Sequence, residues 1–139
     1  MDQLTVVDYG MGNLLSVKRA FEYCGGTVIV TDSPEDISRA SKLVLPGVGA
    51  FKDGMKELQK RGLIGPIKAY CNDNRPFLGI CLGMQMMLDV SHEFGMTKGL
   101  GVIAGEVLPL PNRDTTGALH KIPHIGWNQL KSVQGESWG

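Results

Sequence analysis

The segment Gly79-Ile80-Cys81-Leu82-Gly83 places a thiol between glycines two residues to either side, the G-x-nucleophile-x-G form of a nucleophile elbow. The apolar run Pro76-Phe77-Leu78-Gly79-Ile80 ahead of it predicts a strand, and Leu82 to Leu88 predicts a helix. Cys81 then falls on the strand-to-helix turn that the motif requires. Side chains flanking so tight a turn would collide, which explains the two glycines. The N-terminus of a helix presents unpaired amides and a partial positive charge, which favour thiolate over thiol and suit attack on a carbonyl carbon. The competing reading is a buried structural cysteine. It is the expectation for Cys24, on the apolar face of a predicted helix, and for Cys71, near a helix end.

Acyl transfer also needs donors for a tetrahedral oxyanion. The elbow offers the amide of Leu82, the residue after the nucleophile. A second donor is expected from Pro46-Gly47-Val48-Gly49, which follows another predicted strand and whose glycines let a peptide N–H approach a substrate closely. Weaker signals lead elsewhere. Gly10-Met11-Gly12 is similar to a dinucleotide-binding turn, but Leu15 stands where the third glycine belongs. His120 and His124 have the spacing of metal ligands on a helix, yet Pro123 would break that helix, so no metal site is expected. Met84, Met86 and Met87 read as core packing.

These residues need a scaffold, and the periodicity supplies one. Leu4 to Val7 form a strand that runs into a glycine turn. Asn13 then caps a helix carrying Leu14, Val17, Phe21 and Cys24, which Gly25-Gly26 ends. Thr27 to Val30 is a second strand, and Ser33-Pro34-Glu35-Asp36 opens a short helix. Lys42 to Leu45 is a third strand, followed by broken helical periodicity through Met55, Leu58, Ile64, Ile67 and Cys71. Alternation of this kind predicts an α/β domain over residues 1–139, a mostly parallel sheet with helices on both faces and functional loops beyond the strands' C-terminal ends. From Gly99 onward, strand-like pieces at Val102-Ile103 and Glu106-Val107-Leu108 suggest an antiparallel extension. Residues 131 to 139 offer neither a terminal helix nor a closing strand, so the fold is expected to stop short.

Fourteen basic and fourteen acidic side chains in 139 residues give zero formal charge, which supplies no footprint for nucleic acid or an anionic membrane. No apolar run approaches the ~18 residues of a membrane span. The N-terminus lacks the pattern of a signal peptide, and the three cysteines lack metal-ligand spacing, so reduced thiols in the cytoplasm are expected.

Taken together, Gly79 to Gln85 and Pro46 to Gly49 resemble the class I glutamine amidotransferases. Within them, Asp8-Tyr9-Gly10-Met11-Gly12-Asn13 and Pro123-His124-Ile125-Gly126-Trp127-Asn128 resemble the glutaminase subunits of imidazole glycerol phosphate synthases. The resemblance covers nearly all of residues 4 to 130. It implies a flavodoxin-like fold and hydrolysis of glutamine to glutamate and ammonia, without a cofactor. The ammonia would pass to a (βα)8-barrel cyclase subunit that makes imidazole glycerol phosphate and aminoimidazole carboxamide ribotide. By the same resemblance Cys81 is the nucleophile, Gly47, Val48, Gly49 and Leu82 shape the oxyanion and glutamine site, and Gln85 helps hold the substrate. Asn13, His124, Trp127 and Asn128 would face the cyclase. Other amidotransferases, serving anthranilate or aminodeoxychorismate synthesis, and a noncatalytic cyclase-binding module are the alternatives. The family's triad ends in a His-Pro-Glu segment farther on than the 58 residues that follow Cys81, and no His-x-Glu occurs among them. The 139-residue polypeptide alone is therefore expected to turn over glutamine weakly, because nucleophile and base act as one unit.

Overall fold

The computed structural model describes residues 3–129. The chain runs β1 (Gln3–Val7), α1 (Leu14–Tyr23), β2 (Thr27–Thr31), α2 (Pro34–Arg39), β3 (Leu43–Leu45), α3 (Phe51–Lys60), α4 (Ile64–Asn72), β4 (Phe77–Gly79) and α5 (Leu82–Met86). The four strands form a parallel sheet in the order β2-β1-β3-β4. The central pair is β1 and β3, so the loops after these two strands and after β4 lie side by side at one sheet edge.

Local chemistry sets the element ends. The Asn13 side chain accepts the Ser16 amide at 3.2 Å and starts α1. At its other end Gly25, with φ +85°, turns the chain so that the amides of Gly25 and Gly26 reach the carbonyls of Glu22 and Phe21, a Schellman cap. Ser33 accepts the Asp36 amide, and Pro34 occupies the first turn of α2. The broken periodicity of the sequence has the same kind of cause. Gly62, with φ +69°, ends α3, its amide bonding Gln59 and that of Leu63 bonding Leu58, so one apolar stripe becomes two helices.

The core lies on one face of the sheet. Val7, Leu43 and Leu45 pack there against Ile37 of α2, Phe51, Met55 and Leu58 of α3, Ile67 and Tyr70 of α4, and Leu82 and Met86 of α5. Right-handed crossovers put α1 on the opposite face, because β1 to β2 steps one way across the sheet and the later connections step the other way. That face is covered unevenly. In the row Val30–Val6–Val44–Leu78 the inner pair is buried, yet Val30 is 37% and Leu78 48% exposed, and α1 has no buried residue.

Beyond α5 the structure departs from expectation. A small sheet, β6-β5-β7, comprises β5 (Val90–Ser91), β6 (Thr97–Lys98) and β7 (Glu106–Val107). It begins before Gly99, and it is mixed: β5 pairs antiparallel with β6 and parallel with β7. Val102 and Ile103 are not a strand. Their amides both donate to the Met87 carbonyl, while those of Leu100 and Gly101 reach Met86 and Leu88. The stretch thus satisfies the carbonyls that the short α5 leaves open.

The chain divides into two compact units, Met1–Pro109 and Leu110–Gly139. In the second, Asp114 Oδ1 accepts the amides of Thr116 and Ala118 and the Thr116 hydroxyl. Those bonds, the hydroxyl's first, hold its carboxyl below the usual range. The described part of this unit, through Gln129, is exposed throughout. The expectation for residues 131 to 139 lies outside the described residues. Among the described residues, no helix is long and apolar enough to cross a membrane.

Leu58→Ala, in the densest part of the core, should destabilise by about 2–5 kcal/mol, whereas Leu15→Ala on the outer side of α1 should stay within about 0.5 kcal/mol. Urea unfolding measures both, and equal losses would mean that α1 is packed as tightly as α3.

Candidate active site

Cys81 caps α5 with φ 52° and ψ −115°, a conformation that L side chains rarely adopt, and its side chain is exposed. The turn around it allows no bulk. A Cβ on Gly79 would stand 2.6 Å from Met84 Cα, and one on Gly83 would run into the Leu45 carbonyl. The same Leu45 carbonyl accepts the Ile80 amide at 3.0 Å, and the Gly83 amide closes back on Ile80. Both glycines are therefore required by backbone contacts, as the elbow motif predicts.

The Pro46–Gly49 segment leaves β3 beside this elbow, and three bonds hold it. The hydroxyl of Tyr9, just past β1, donates to the Pro46 carbonyl at 2.9 Å. The Val48 amide donates to the Met11 carbonyl at 3.2 Å. Downstream, the Phe51 amide at the start of α3 donates to Glu93 Oε2 at 2.8 Å, a cap supplied from 42 residues away. Pro46 and Gly47 are buried, while Val48 and Gly49 are exposed. Gly49 has φ +117°, and a Cβ there would press on Met11 at 2.8 Å.

Tyr9 is 1% exposed. Burial first, and the charge of Cys81 second, push its phenol far above the usual tyrosine range, so its hydroxyl remains a donor at physiological pH. Gln85 is half-buried and lines a cleft of about 220 Å³ with Glu93, Val107, Leu108 and Pro109. Tyr9 and Met11 fall in the Asp8–Asn13 segment that carries the resemblance, but the sequence gives neither a role, and it does not single out Glu93. Tyr9 had a faint signal, a polar-tipped aromatic directly after a buried strand; Glu93 had none, because its bond spans the fold.

The histidines are distributed otherwise. His92 Nε2 lies 3.1 Å from Glu106 Oε2, a His–carboxylate pair that no local motif announces. Glu93 and Val107, the residues that follow each member of that pair, line the cleft. His92 and Glu106 themselves are not among the residues that line it. In the second unit the Asn128 amide meets His124 Nε2 at 2.7 Å, and Trp127 is fully exposed. His120 Nε2 contacts the Pro111 carbonyl. Asn13 is at the head of α1, in the first unit.

Two packing expectations are corrected. Cys24 is exposed, because α1 ends at Tyr23 and leaves it in the C-cap of a helix with no buried residue. Met84 is 54% exposed, on the outer side of α5, whereas Met86 and Met87 are buried. Cys71 does pack against the core, and burial pushes its thiol up.

Adding one methyl at Gly83 should destabilise the protein by about 1–3 kcal/mol, since the Leu45 backbone cannot yield. Gly65→Ala, in α4 with open space around it, should be neutral or stabilise by up to about 1 kcal/mol. Urea unfolding of the two variants tests this; a harmless Gly83→Ala would show that the elbow tolerates a Cβ.

Comparisons with known proteins agree with this architecture. A solved structure described as a peptidase E protein from Listeria monocytogenes EGD-e superposes with a TM-score of 0.58 at 15% identity, covering 73% of this chain and 63% of that one. Its likeness is one of fold. Imidazole glycerol phosphate synthase subunit HisH 1 from Legionella pneumophila (strain Lens) is 57% identical over 139 residues, 99% of this chain and 65% of the relative. Subunit HisH of Geobacter sulfurreducens is 49% identical over 131 residues, 94% of this chain and 63% of the relative. The chain thus spans slightly less than two thirds of these relatives. The family model for class-I glutamine amidotransferases matches residues 5–136. With the elbow at Cys81 and the glycine segment beside it, this chain belongs to the class-I glutamine amidotransferase family.

Proposed function

We propose that this chain is the glutaminase part of an imidazole glycerol phosphate synthase. The observation that carries the reading is the strained cysteine elbow held against the Pro46–Gly49 segment, within a chain 57% identical to a subunit of that name. Cys81 Sγ attacks the side-chain carboxamide carbon of glutamine, and the carbonyl π pair moves onto oxygen. The C–N bond then breaks, a general acid protonates the leaving nitrogen, and ammonia departs. Water hydrolyses the remaining thioester to glutamate. Gln85, in the cleft, orients the substrate.

The oxyanion needs two donors. The Leu82 amide stands at the start of α5, where no preceding turn offers a carbonyl. The Val48 amide is engaged with Met11. It becomes the second donor when the Gly47–Val48 peptide turns, for which the glycines on either side of Val48 give the freedom. The proton carrier is, by resemblance, the histidine of a His-Pro-Glu segment, and His92 is not proposed for that role. Ammonia then passes to a cyclase subunit of (βα)8-barrel fold in the cytoplasm; by resemblance Asn13 in the first unit, and His124, Trp127 and Asn128 in the second, are the residues that would meet it. A fully exposed Trp is the kind of side chain that anchors an interface.

Two experiments test the reading. A chloroketone analogue of glutamine should label Cys81 saturably, as read by peptide mapping, while Cys24, although exposed, should react only in a non-saturating way. Glutamine should protect Cys81 alone, and Cys81→Ala should abolish hydrolysis while leaving the unfolding midpoint nearly unchanged. Preferential labelling of Cys24 or Cys71 would remove the nucleophile from the proposal. For the partner, Trp127→Ala should weaken cyclase binding by about 2 kcal/mol or more, roughly thirtyfold. Unchanged affinity in a titration at matched concentrations would withdraw Trp127 from the interface.

A further inference from the structure

We infer that Tyr9 is a positioning residue for the oxyanion site: its hydroxyl pins the Pro46–Gly47 peptide against the elbow, which fixes where the turning peptide of Val48 can deliver its amide. The inference rests on the glutaminase reading and deepens it.

Three observations converge on this side chain. Its hydroxyl donates to the Pro46 carbonyl at 2.9 Å in a buried setting, so the bond is not shared with bulk water. A Cβ on Gly47 would meet the Tyr9 hydroxyl, Leu82 Cβ at 2.9 Å and the Gly83 amide nitrogen at 3.0 Å. Gly47 therefore lies close against both the phenol and the first turn of α5, with no room for a side chain. Tyr9 also lies in the same buried core cluster as Leu82, the residue that follows the nucleophile. A peptide is planar, so fixing the Pro46 carbonyl also fixes the Gly47 N–H that points the opposite way. Rotation is thereby confined to the next peptide, whose amide is that of Val48.

Tyr9 differs in kind from the other two anchors. The Met11 bond occupies the very amide that must turn, and the Glu93 bond secures α3 downstream. Among the described residues, the Tyr9 bond is the one of the three that holds the part of the segment touching the elbow. Without the hydroxyl, the Pro46 carbonyl is buried with no partner from Tyr9, and the peptide is free to tilt away from Leu82. A misplacement of the donor of this order acts on the tetrahedral species, not on the capture of substrate.

The test separates these steps chemically. With the chloroketone analogue, the Cys81 thiolate first adds to the ketone carbon, whose π pair becomes an alkoxide that needs the oxyanion donors. Sulfur then bonds the adjacent methylene carbon as chloride leaves, and its bond to the former ketone carbon breaks as the alkoxide pair re-forms the carbonyl. With iodoacetamide, sulfur displaces iodide directly and no oxyanion forms. In the natural gene product, Tyr9→Phe should lower the maximal rate of Cys81 labelling by the chloroketone about tenfold or more. The half-saturating concentration and the iodoacetamide rate at Cys81 should stay within about twofold. Tyr70→Phe is the control, because the Tyr70 hydroxyl likewise donates to carbonyls, those of Ser41 and Pro76, in the same core. It should lower the unfolding midpoint in urea as Tyr9→Phe does and leave both labelling rates unchanged. A Tyr9→Phe rate equal to that of the unsubstituted protein, or a parallel fall in the iodoacetamide rate, overturns the positioning role. Failure of the unsubstituted protein to show saturable labelling overturns the glutaminase reading, and this inference with it.

Discussion

The parallel pairing of β3 with β4 is the constraint from which the site follows. Their register sets Leu45 opposite Gly79, so both strands stop at the same level. The Leu45 carbonyl then takes the Ile80 amide and lies where any side chain on Gly83 would have to go. Two loops that leave adjacent strands at one level are brought together without further device: one becomes the elbow and the other the glycine segment. Moving the register by one residue would turn every strand side chain to the other face and would part Leu45 from Ile80.

Strain at the elbow persists because the surroundings leave it no relief. A cysteine at φ 52° carries a cost of about 1–3 kcal/mol. Relaxation would require the start of α5 to lift away, which Leu82 and Met86, both buried against α3, oppose. The five residues of α5 form too short a helix to be stable by themselves. It is held by that apolar contact and by the amides of Leu100 to Ile103, which cover its C-terminal carbonyls. The nucleophile's geometry thus depends on a segment some twenty residues later that has no catalytic group of its own.

Much of this was legible in the sequence where a signal is local. Asn13, Ser33-Pro34 and Gly25-Gly26 mark helix ends by capping chemistry, and Gly79 and Gly83 mark the elbow by steric need, so these readings survive in the structure. The sequence does not speak where the partner is remote. Glu93 caps Phe51 across 42 residues, and His92 finds Glu106 across 14, neither with a recognisable spacing. Two-residue strands such as β5 and β6 are too short for period-two alternation to register. Val102-Ile103 mimics a strand by composition while its amides serve α5. Cys24 fits the helical period of α1, but the period carries no information about whether that face meets a core.

The loop between β1 and α1 therefore has a double attachment to the site. Tyr9 and Met11, two residues apart, hold consecutive peptides of the same segment, the first through a side chain and the second through a backbone carbonyl. The loop is itself braced: Asp8 accepts the Gly10 amide at 3.0 Å, and the Arg61 guanidinium lies so close to Gly10 that a Cβ would stand 2.9 Å from it. Arg61 in turn faces Asp32 and Glu57. The phenol reaches its carbonyl through a ring buried in the core, whereas the Met11 carbonyl belongs to backbone that leads to the exposed Gly12 and Asn13. The two attachments therefore differ in kind: a buried phenol holds the Pro46 carbonyl, and a backbone carbonyl of the loop holds the amide of Val48.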